Sequence, residues 1–217
     1  DKVNFIDKKG SFLSDEWFYG AGDFSDGFGR VENKDERWNF ISKEGKLISK
    51  DWFFYAENFR DDLAIVGNEA GEYNFINKEG NLISKDWFYS ADDFYDGFAR
   101  VKNDYEKLNF INKEGNLISK DWFSDADNFH DGFARVKAQD KKWNFINTEG
   151  EPISKDWFSD ADNFHDGFAR VKAQDKKWNF INTEGKLILK EWFFCVYNFH
   201  DGFARVKNEA GEYNFIN

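Results

Sequence analysis

The sequence contains very little cysteine and proline, with one residue of each among 217. A single cysteine excludes a disulfide framework, and a single proline excludes a proline-rich linker. No apolar run approaches the ~18 residues of a membrane-spanning helix, so the sequence predicts no membrane partner. The chain opens Asp1-Lys2-Val3, without Met and without a signal-like segment. The compartment therefore stays open, with a slight preference for the cytoplasm, and the chain could be a processed piece.

Aromatic and acidic residues are abundant. Aromatics make up 20% of the chain, with 27 Phe, 9 Trp and 8 Tyr, which is too much burial potential for a disordered chain. The net charge is −11, from 41 acidic and 30 basic residues. This balance argues against direct binding to nucleic-acid phosphates and favours a partner with a basic surface.

The chain is built from one unit repeated six times, followed by a terminal half-unit. The tripeptide Asn-Phe-Ile recurs every 35 residues, starting at Asn4, Asn39, Asn74, Asn109, Asn144, Asn179 and Asn214. A Trp-Phe pair and a glycine follow the same period, and residues 119–150 and 154–185 are identical. We therefore expect a single repeat-array domain over residues 1–217, with no linker.

Each unit has the pattern of an all-β three-stranded meander. In residues 132–154 we expect strands at Gly132–Lys137 and Trp143–Asn147, and a third around Ile153. A longer polar segment, residues 156–166, leads to the next unit. Both faces of the first two strands carry apolar side chains, so each sheet should be packed between its neighbours. A lone unit cannot bury enough apolar surface to offset the entropy of ordering its backbone, so stacking is required.

The repeated phrases resemble a known family. Trp143-Asn-Phe-Ile-Asn-Thr-Glu-Gly150 and Asp162-Asn-Phe-His-Asp-Gly-Phe-Ala-Arg-Val171 are similar to the bacterial WG (KWG) repeat. The family's glycine after the aromatic residue is Asn in every copy here, which would remove a site of close backbone approach. The resemblance implies a β-rich repeat array with a binding or scaffolding role. It implies no catalytic residue and no cofactor.

The strand count bears on whether the array is open or closed. The chain begins with a second and third strand and finishes with a first and second. A closed six-bladed ring needs each strand type six times, whereas the Asn-Phe-Ile strand is present seven times. We therefore expect an open solenoid of stacked meanders, with a closed propeller-like ring as the alternative.

Two aromatic columns are candidate binding surfaces. The column from Trp17 to Trp192 could stack sugars, but we interpret it as core that packs unit on unit. A second column tolerates Trp, Tyr, Leu and Val, so it is the more exposed one. Its aromatic members are our candidate binding residues, with a simple packing surface as the alternative: Trp38, Tyr73, Trp143, Trp178 and Tyr213.

Other repeated polar residues have plainer interpretations. His130, His165 and His200 share a column, but stacked sheets lie about 10 Å apart, too far for one metal ion. Residues 124–131 are faintly like a calcium loop, yet they lack its glycine and its last acidic ligand. We therefore predict no metal site. For Arg135 we expect an ion pair with Asp131 that ties the Asp-Gly turn to the strand.

The second unit diverges most from the others. Ile65 stands in the arginine column and Asp62 replaces a glycine, while an arginine appears at Arg60. Divergence in a uniform array could mark a specific contact or drift, and we favour drift.

The leading hypothesis for function is a non-catalytic repeat scaffold that binds a protein partner along its length. Uniform repeats offer many equivalent places instead of one acid, base and nucleophile set. A carbohydrate or cell-surface binding module is the first alternative, based on aromatic density. An acidic inhibitor of a basic nucleic-acid-processing protein is the second.

Overall fold

A computed structural model describes residues 1–217 as an all-β protein. Its eighteen strands form six three-stranded antiparallel sheets, each in chain order and none closed on itself. No element is a helix that could cross a lipid bilayer.

The first three sheets are β1 (Gly20–Ser25), β2 (Phe28–Glu32) and β3 (Trp38–Ser42); β4 (Tyr55–Ala56), β5 (Leu63–Gly67) and β6 (Tyr73–Asn77); β7 (Ser90–Ala91), β8 (Phe98–Lys102) and β9 (Leu108–Asn112). The last three are β10 (Asp125–Ala126), β11 (Ala134–Lys137) and β12 (Trp143–Ile146); β13 (Asp160–Ala161), β14 (Phe168–Lys172) and β15 (Trp178–Asn182); β16 (Cys195–Val196), β17 (Ala204–Lys207) and β18 (Tyr213–Ile216).

The prediction of a third strand around Ile153 is wrong. The chain there makes only isolated bridges, such as Ile146 with Pro152. The remaining strand of each sheet, which is the first in chain order, comes from the polar segment before the Asp-Gly turn. There β10 pairs with β11 through Ala126 and Val136. In most sheets this strand has only two residues, too few to show a period-two pattern in the sequence.

Each Trp-Phe pair joins one sheet to the next. Phe158 exchanges both backbone hydrogen bonds with Trp143, the first residue of β12, at 2.8 Å each. The next residue, Ser159, donates its N–H to the Lys172 carbonyl in the following sheet at 2.8 Å. The chain thus belongs to two sheets within two residues, so neighbouring sheets are linked by backbone hydrogen bonds as well as by packing.

The chain forms two compact units. The first comprises Asp1–Phe94, Ala99–Tyr105 and Ile111–Asn116, and the second comprises Tyr95–Phe98, Glu106–Phe110 and Leu117–Asn217. In the first unit, Phe40 of β3 is buried together with Ala64 and Val66 of β5. In the second unit, Phe145 of β12 is buried together with Val171 of β14. Within each unit, successive meanders pack face to face, as the apolar pattern on both strand faces predicts.

A recurring group of three phenylalanines marks these interfaces. Phe59, in the loop after β4, lies 4.7 Å from the Phe28 ring and 4.8 Å from the Phe40 ring, both in the preceding sheet. Phe164 makes the same two contacts, with Phe133 at 4.9 Å and Phe145 at 4.7 Å. In four repeats the loop phenylalanine thus packs against two rings of the previous repeat, the four being Phe59, Phe129, Phe164 and Phe199.

The glycine column is where the backbones approach most closely. Gly150 has φ of +78°, and a Cβ on it would lie 2.1 Å from the carbonyl oxygen of Ile118 in the preceding repeat. Gly80, Gly115 and Gly185 make the same approach to Ile48, Ile83 and Ile153. The close approach thus occurs at this hairpin glycine, while the family's other glycine position, occupied by Asn here, has a different role.

We expect Gly150→Ala to destabilise the protein far more than Gly132→Ala. Both glycines have positive φ, but a Cβ at Gly132 meets nothing within 4 Å. Gly132→Ala should cost about 1–2 kcal/mol for the left-handed backbone alone. Gly150→Ala should cost roughly 3–5 kcal/mol, because the Ile118 carbonyl must also move. Urea unfolding of the two variants measures the difference, and equal losses would contradict the close approach.

Candidate functional site

The candidate binding column lies at the rim between packed sheets. Trp38, Trp143 and Trp178 are half-buried, and each packs against apolar residues of the sheet that follows it. Tyr73 is also half-buried, whereas Tyr213 in the last sheet is 53% exposed. That these rings bind a ligand stays a prediction, and the inner ones offer only part of their surface.

Cations cover much of what remains exposed on this column. Over the Trp143 ring, the Arg135 guanidinium lies 4.4 Å and the Lys137 ammonium 4.8 Å from the centroid. Arg170 and Lys172 take the same places over Trp178. These cation–π contacts cover part of the exposed ring face of Trp143 and Trp178.

The other tryptophan column packs on the preceding sheet. Trp52 lies against the cluster of Phe18, Val31 and Ile41, and Trp192 lies against the cluster that contains Ile181. These contacts agree with the interpretation of this column as unit-on-unit packing. Only Trp17 is largely exposed, at 47%.

Arg135 does not pair with Asp131, so that prediction is wrong. Its Nε donates to Asp127 Oδ2 at 2.8 Å, and its Nη1 donates to the Ala161 carbonyl of the next sheet. Asp127 lies directly across the strand pair, since its N–H bonds the Arg135 carbonyl at 2.9 Å. Asp131 is held in the tight turn at φ of +52°, beside His130. The arginine therefore ties one sheet to the next.

This arginine link is complete in the middle of the chain and incomplete near its start. Arg100 and Arg170 also pair with the acid eight residues earlier, Asp92 and Asp162. Arg30 reaches the Ala56 carbonyl at 2.6 Å, but the position eight residues earlier is Gly22. Its Nε is accordingly buried without a partner.

We expect Gly22→Asp to stabilise the protein by about 1 kcal/mol, because a carboxylate would accept from the buried Arg30 Nε. A Cβ on Gly22 would lie 3.1 Å from that nitrogen, at the movable end of the arginine side chain. Gly22→Ala is the control, since it removes the same backbone freedom without adding an acceptor. Urea unfolding should show that the Gly22→Asp variant is more stable than the Gly22→Ala variant. The reverse order would contradict the interpretation that Arg30 Nε lacks a hydrogen-bond acceptor.

In the divergent second unit, an ion pair to the next repeat stands in place of the arginine link. Ile65, 6% exposed, replaces the arginine, and Arg60 instead forms an exposed ion pair with Asp93 of the next repeat. Asp62 holds the glycine's positive φ at +75° and pairs with Lys78. That hydrogen-bonded ammonium lowers the pKa of Asp62, while the carboxylate raises the pKa of Lys78. The pocket beside Ile65 has a volume of only about 10 Å³.

The histidine and calcium-like positions do not converge on an ion. His130 and His165 are exposed, and each lies beside the aspartate that follows it, at 3.2 and 3.6 Å. No group of three or more His, Cys, Asp or Glu side chains is placed to hold a metal ion. Within the calcium-like segment, Asp127 is taken by Arg135, and Asp125 accepts from the Ala126 N–H at 3.0 Å.

The sequence interpretation missed the role of the asparagine column. Asn39, Asn74, Asn109, Asn144 and Asn179 are all fully buried. Asn144 Nδ2 donates to the Ser154 carbonyl at 2.8 Å and to the Asp156 carbonyl at 3.3 Å. Its Oδ1 accepts from the Phe145 N–H at 2.8 Å. One amide thus fixes the irregular segment that precedes the Trp-Phe pair. Its presence in all seven copies within this chain was the available signal.

We expect Asn144→Ala to lower the free energy of unfolding by about 2–4 kcal/mol, because the buried Phe145 N–H loses its acceptor and two backbone carbonyls lose their donor. Asn163→Ala is the matched control, since Asn163 is exposed. Hydrogen exchange should also show faster exchange of the Phe158 N–H in the first variant only. Equal stability of the two variants would rule out the structural role of the buried amide.

A further set of aromatic side chains lies exposed near the start of the first strands. We call it the strand-start row, and its members are Tyr19, Tyr55, Tyr89 and Phe194, exposed by 42 to 60%. Tyr55 donates its hydroxyl to Glu57 Oε1 at 2.6 Å. That hydrogen bond, with partial burial, raises the pKa of Tyr55 to about 12. The row falls in segments that the sequence pattern assigned to loop, which is why it was not predicted.

Comparison with known proteins identifies the family. The WG containing repeat matches residues 75–106, 110–143, 145–178 and 180–211, which is more than half of the chain. The chain therefore belongs to the WG containing repeat family, as the sequence resemblance indicated. No match was found among curated proteins.

Several solved structures are similar at low identity. BamB from Moraxella catarrhalis is 10% identical with a TM-score of 0.35, covering 99% of this chain and 76% of BamB. The computationally designed Ika8 protein is 11% identical with a TM-score of 0.36, covering 95% and 74%. The WD40 beta propeller domain of Doa1 is 12% identical with a TM-score of 0.31, covering 99% and 88%. At these scores the likeness carries no conclusion about function.

Proposed function

We propose that this chain is a non-catalytic scaffold that binds a protein partner with a basic surface. The observation that carries the proposal is the use of both sheet faces for packing. Phe145, on one face of β12, is 1% exposed, and Ile146, on the other, is 0% exposed. Sheets buried on both faces present only their turns and edges to a partner, and these recur every 35 residues.

The exposed turns supply the acidic character. An aspartate at positive φ occupies the tight turn before the second strand of every sheet, and all six are exposed: Asp26, Asp61, Asp96, Asp131, Asp166 and Asp201. We call these residues the turn row. Together with the net charge of −11 they support a basic partner. We also infer an open stack of repeats, which the seventh Asn-Phe-Ile copy supports.

Two variants with equal net charge test this proposal. One carries Asp131→Asn, Asp166→Asn and Asp201→Asn, in which Asn tolerates the left-handed backbone. The control carries Glu79→Gln, Glu114→Gln and Glu149→Gln, three exposed residues of the other hairpin turn. Binding to an array of basic and acidic protein domains is measured at low and high salt.

The original chain should bind basic domains and lose affinity as salt rises. The turn-row variant should lose affinity by about tenfold, and the control by much less. Equal losses would show that net charge alone acts. Binding that is insensitive to salt, or absent from the whole array, would contradict the basic partner.

The strand-start row supports carbohydrate binding as a second candidate, since Tyr19 and Tyr89 are both more than half exposed. Signals on a glycan array that disappear with Tyr19→Ala and Tyr89→Ala would favour it over the protein partner. An inhibitor that mimics nucleic acid has less support. Ion pairs such as Lys142 with Asp140 and Lys177 with Glu209 interrupt the acidic surface.

A further inference from the structure

In three repeats, the ring of the candidate binding column is covered by two cations of its own sheet. Arg135 and Lys137 of β11 lie over Trp143, at 4.4 and 4.8 Å from the ring centroid. The fifth and sixth repeats place the equivalent arginine and lysine over Trp178 and Tyr213, at 5.0 to 5.8 Å. Because the ring of the sixth repeat is a tyrosine, the arrangement does not depend on tryptophan.

The second repeat has the ring but neither cation. Its ring is Tyr73 of β6, and Ile65 and Gly67 of β5 stand where those repeats carry arginine and lysine. Ile65 is buried, so an apolar side chain fills the arginine position. Gly67 leaves the lysine position without a side chain. In the first compact unit, the rings that have a cation over them are Tyr19, Trp38 and Phe54.

A second aromatic ring stands against Tyr73 across this glycine. The strand register places Tyr55 of β4, Gly67 and Tyr73 opposite one another, on one face of the sheet. The Tyr55 and Tyr73 rings are 5.7 Å apart between centroids, with their planes at 84°. A Cβ on Gly67 would lie 2.8 Å from the Tyr55 Cβ. The missing lysine side chain is therefore what allows the two rings to meet.

The second repeat also keeps the carboxylate that the missing arginine would bind. Glu57 lies at the position of Asp127, which accepts from Arg135 in the fourth repeat. The Glu57 N–H bonds the Ile65 carbonyl at 2.8 Å, as the Asp127 N–H bonds the Arg135 carbonyl. With isoleucine opposite, the Glu57 side chain accepts from the Tyr55 hydroxyl at 2.6 Å instead. Both groups that attract a cation, a ring and a carboxylate, thus remain after both cations are lost.

We propose that Tyr55, Tyr73 and Glu57 form a site for the ammonium group of a lysine side chain from another protein. The ammonium would lie against the Tyr73 ring, as Lys137 lies against Trp143 in the fourth repeat. The carboxylate beside the rings would offset its charge. Tyr55 is 42% exposed and Tyr73 is half-buried, so the rings are open to a partner.

The surroundings of the site favour lysine over arginine. Ile65 already fills the place of the guanidinium, whereas Gly67 leaves only the place of the ammonium. Arg30 of the preceding sheet is held elsewhere, since its Nη1 donates to the Ala56 carbonyl at 2.6 Å and its guanidinium lies over Trp38. The divergence of the second repeat then marks a specific contact, which was the alternative to drift.

This inference deepens the proposed function, and it rests on that proposal for the source of the lysine. The turn row is not part of the site. The ammonium site and the basic partner can therefore be tested separately.

Titration with Nα-acetyl-lysine N-methylamide, followed by the NMR signals of the aromatic rings, tests the site directly. The Tyr55 and Tyr73 signals should shift and saturate with a Kd of about 1–10 mM. The norleucine analogue, which lacks the ammonium, should leave them unchanged, and the arginine analogue should bind at least threefold more weakly. The Trp143 ring is the internal control, because the chain's own cations cover it.

Shifts that are equal with the norleucine analogue, or equal at Trp143 and Tyr73, would overturn the proposal. Absence of any shift at Tyr55 and Tyr73 would overturn it as well. An arginine analogue that binds as tightly as the lysine analogue would contradict the assignment to lysine.

A double variant should close the site with the chain's own ammonium. Tyr55→Asp with Gly67→Lys reproduces the pair that Asp125 and Lys137 form in the fourth repeat, and it leaves the net charge unchanged. Because the same pair is accommodated there, the variant should fold, and binding of the lysine analogue should be lost. Retained binding would contradict the site.

Glu57→Gln tests the carboxylate without removing a ring. The amide oxygen can still accept from the Tyr55 hydroxyl, so the affinity for the lysine analogue should fall about threefold to tenfold through loss of charge alone. Glu79→Gln is the matched control, since it makes the same charge change at an exposed residue of the hairpin turn. Unchanged affinity of the Glu57 variant, or an equal loss in the control, would rule out the carboxylate.

The array of basic domains distinguishes this site from the proposed function. Domains that bind the original chain should bind the double variant at least fivefold more weakly. Domains that bind both chains equally would overturn the lysine contact and leave the basic partner standing. Binding of the lysine analogue together with a silent array would support the site and contradict only the basic partner.

Discussion

The buried asparagine amide is the interaction on which the rest of the repeat depends. A segment without regular hydrogen bonding leads from one sheet to the next, and its backbone carbonyls need donors. The Asn144 side chain satisfies two of them and holds the segment in place. The following Phe158 can then bond the previous sheet while Ser159 bonds the next. Without the amide, the backbone hydrogen bonds that join the two sheets would be weakened. The packing of the loop phenylalanine would be weakened as well.

Three further contacts determine how neighbouring repeats are placed against each other. The hairpin glycine sets the distance between neighbouring backbones, since Gly150 leaves no room for a Cβ against Ile118. The loop phenylalanine fixes the lateral position, and Arg135 ties its own sheet to the Ala161 carbonyl of the next. Each contact points from one repeat to its neighbour. The order in which the repeats stack is therefore set by contacts between adjacent repeats. The residues that touch are nevertheless far apart in sequence within the 35-residue period.

The repeat period, the β class and the two main strands of each meander could be predicted, because they depend on regular spacing and alternation. The short first strand of each sheet, such as Asp125–Ala126, could not be predicted. Two residues are too few to show alternation, and the strand is defined by its pairing with β11. The partner of Arg135 was misplaced for a similar reason. Asp131 is nearer in sequence, but the strand register places Asp127 opposite the arginine. The exposed strand-start row was hidden within segments interpreted as loop.

The sharing of each sheet between successive segments bears on what happens when the backbone is cut. A protease that nicked the exposed turn between β11 and β12 would leave the two strands on separate polypeptides. Those polypeptides would still be joined by the ladder that includes Arg135 with Phe145 and by the packed sheets on both sides. Loss of covalent continuity would therefore not dissociate the molecule, and two halves expressed apart would reconstitute it by complementation.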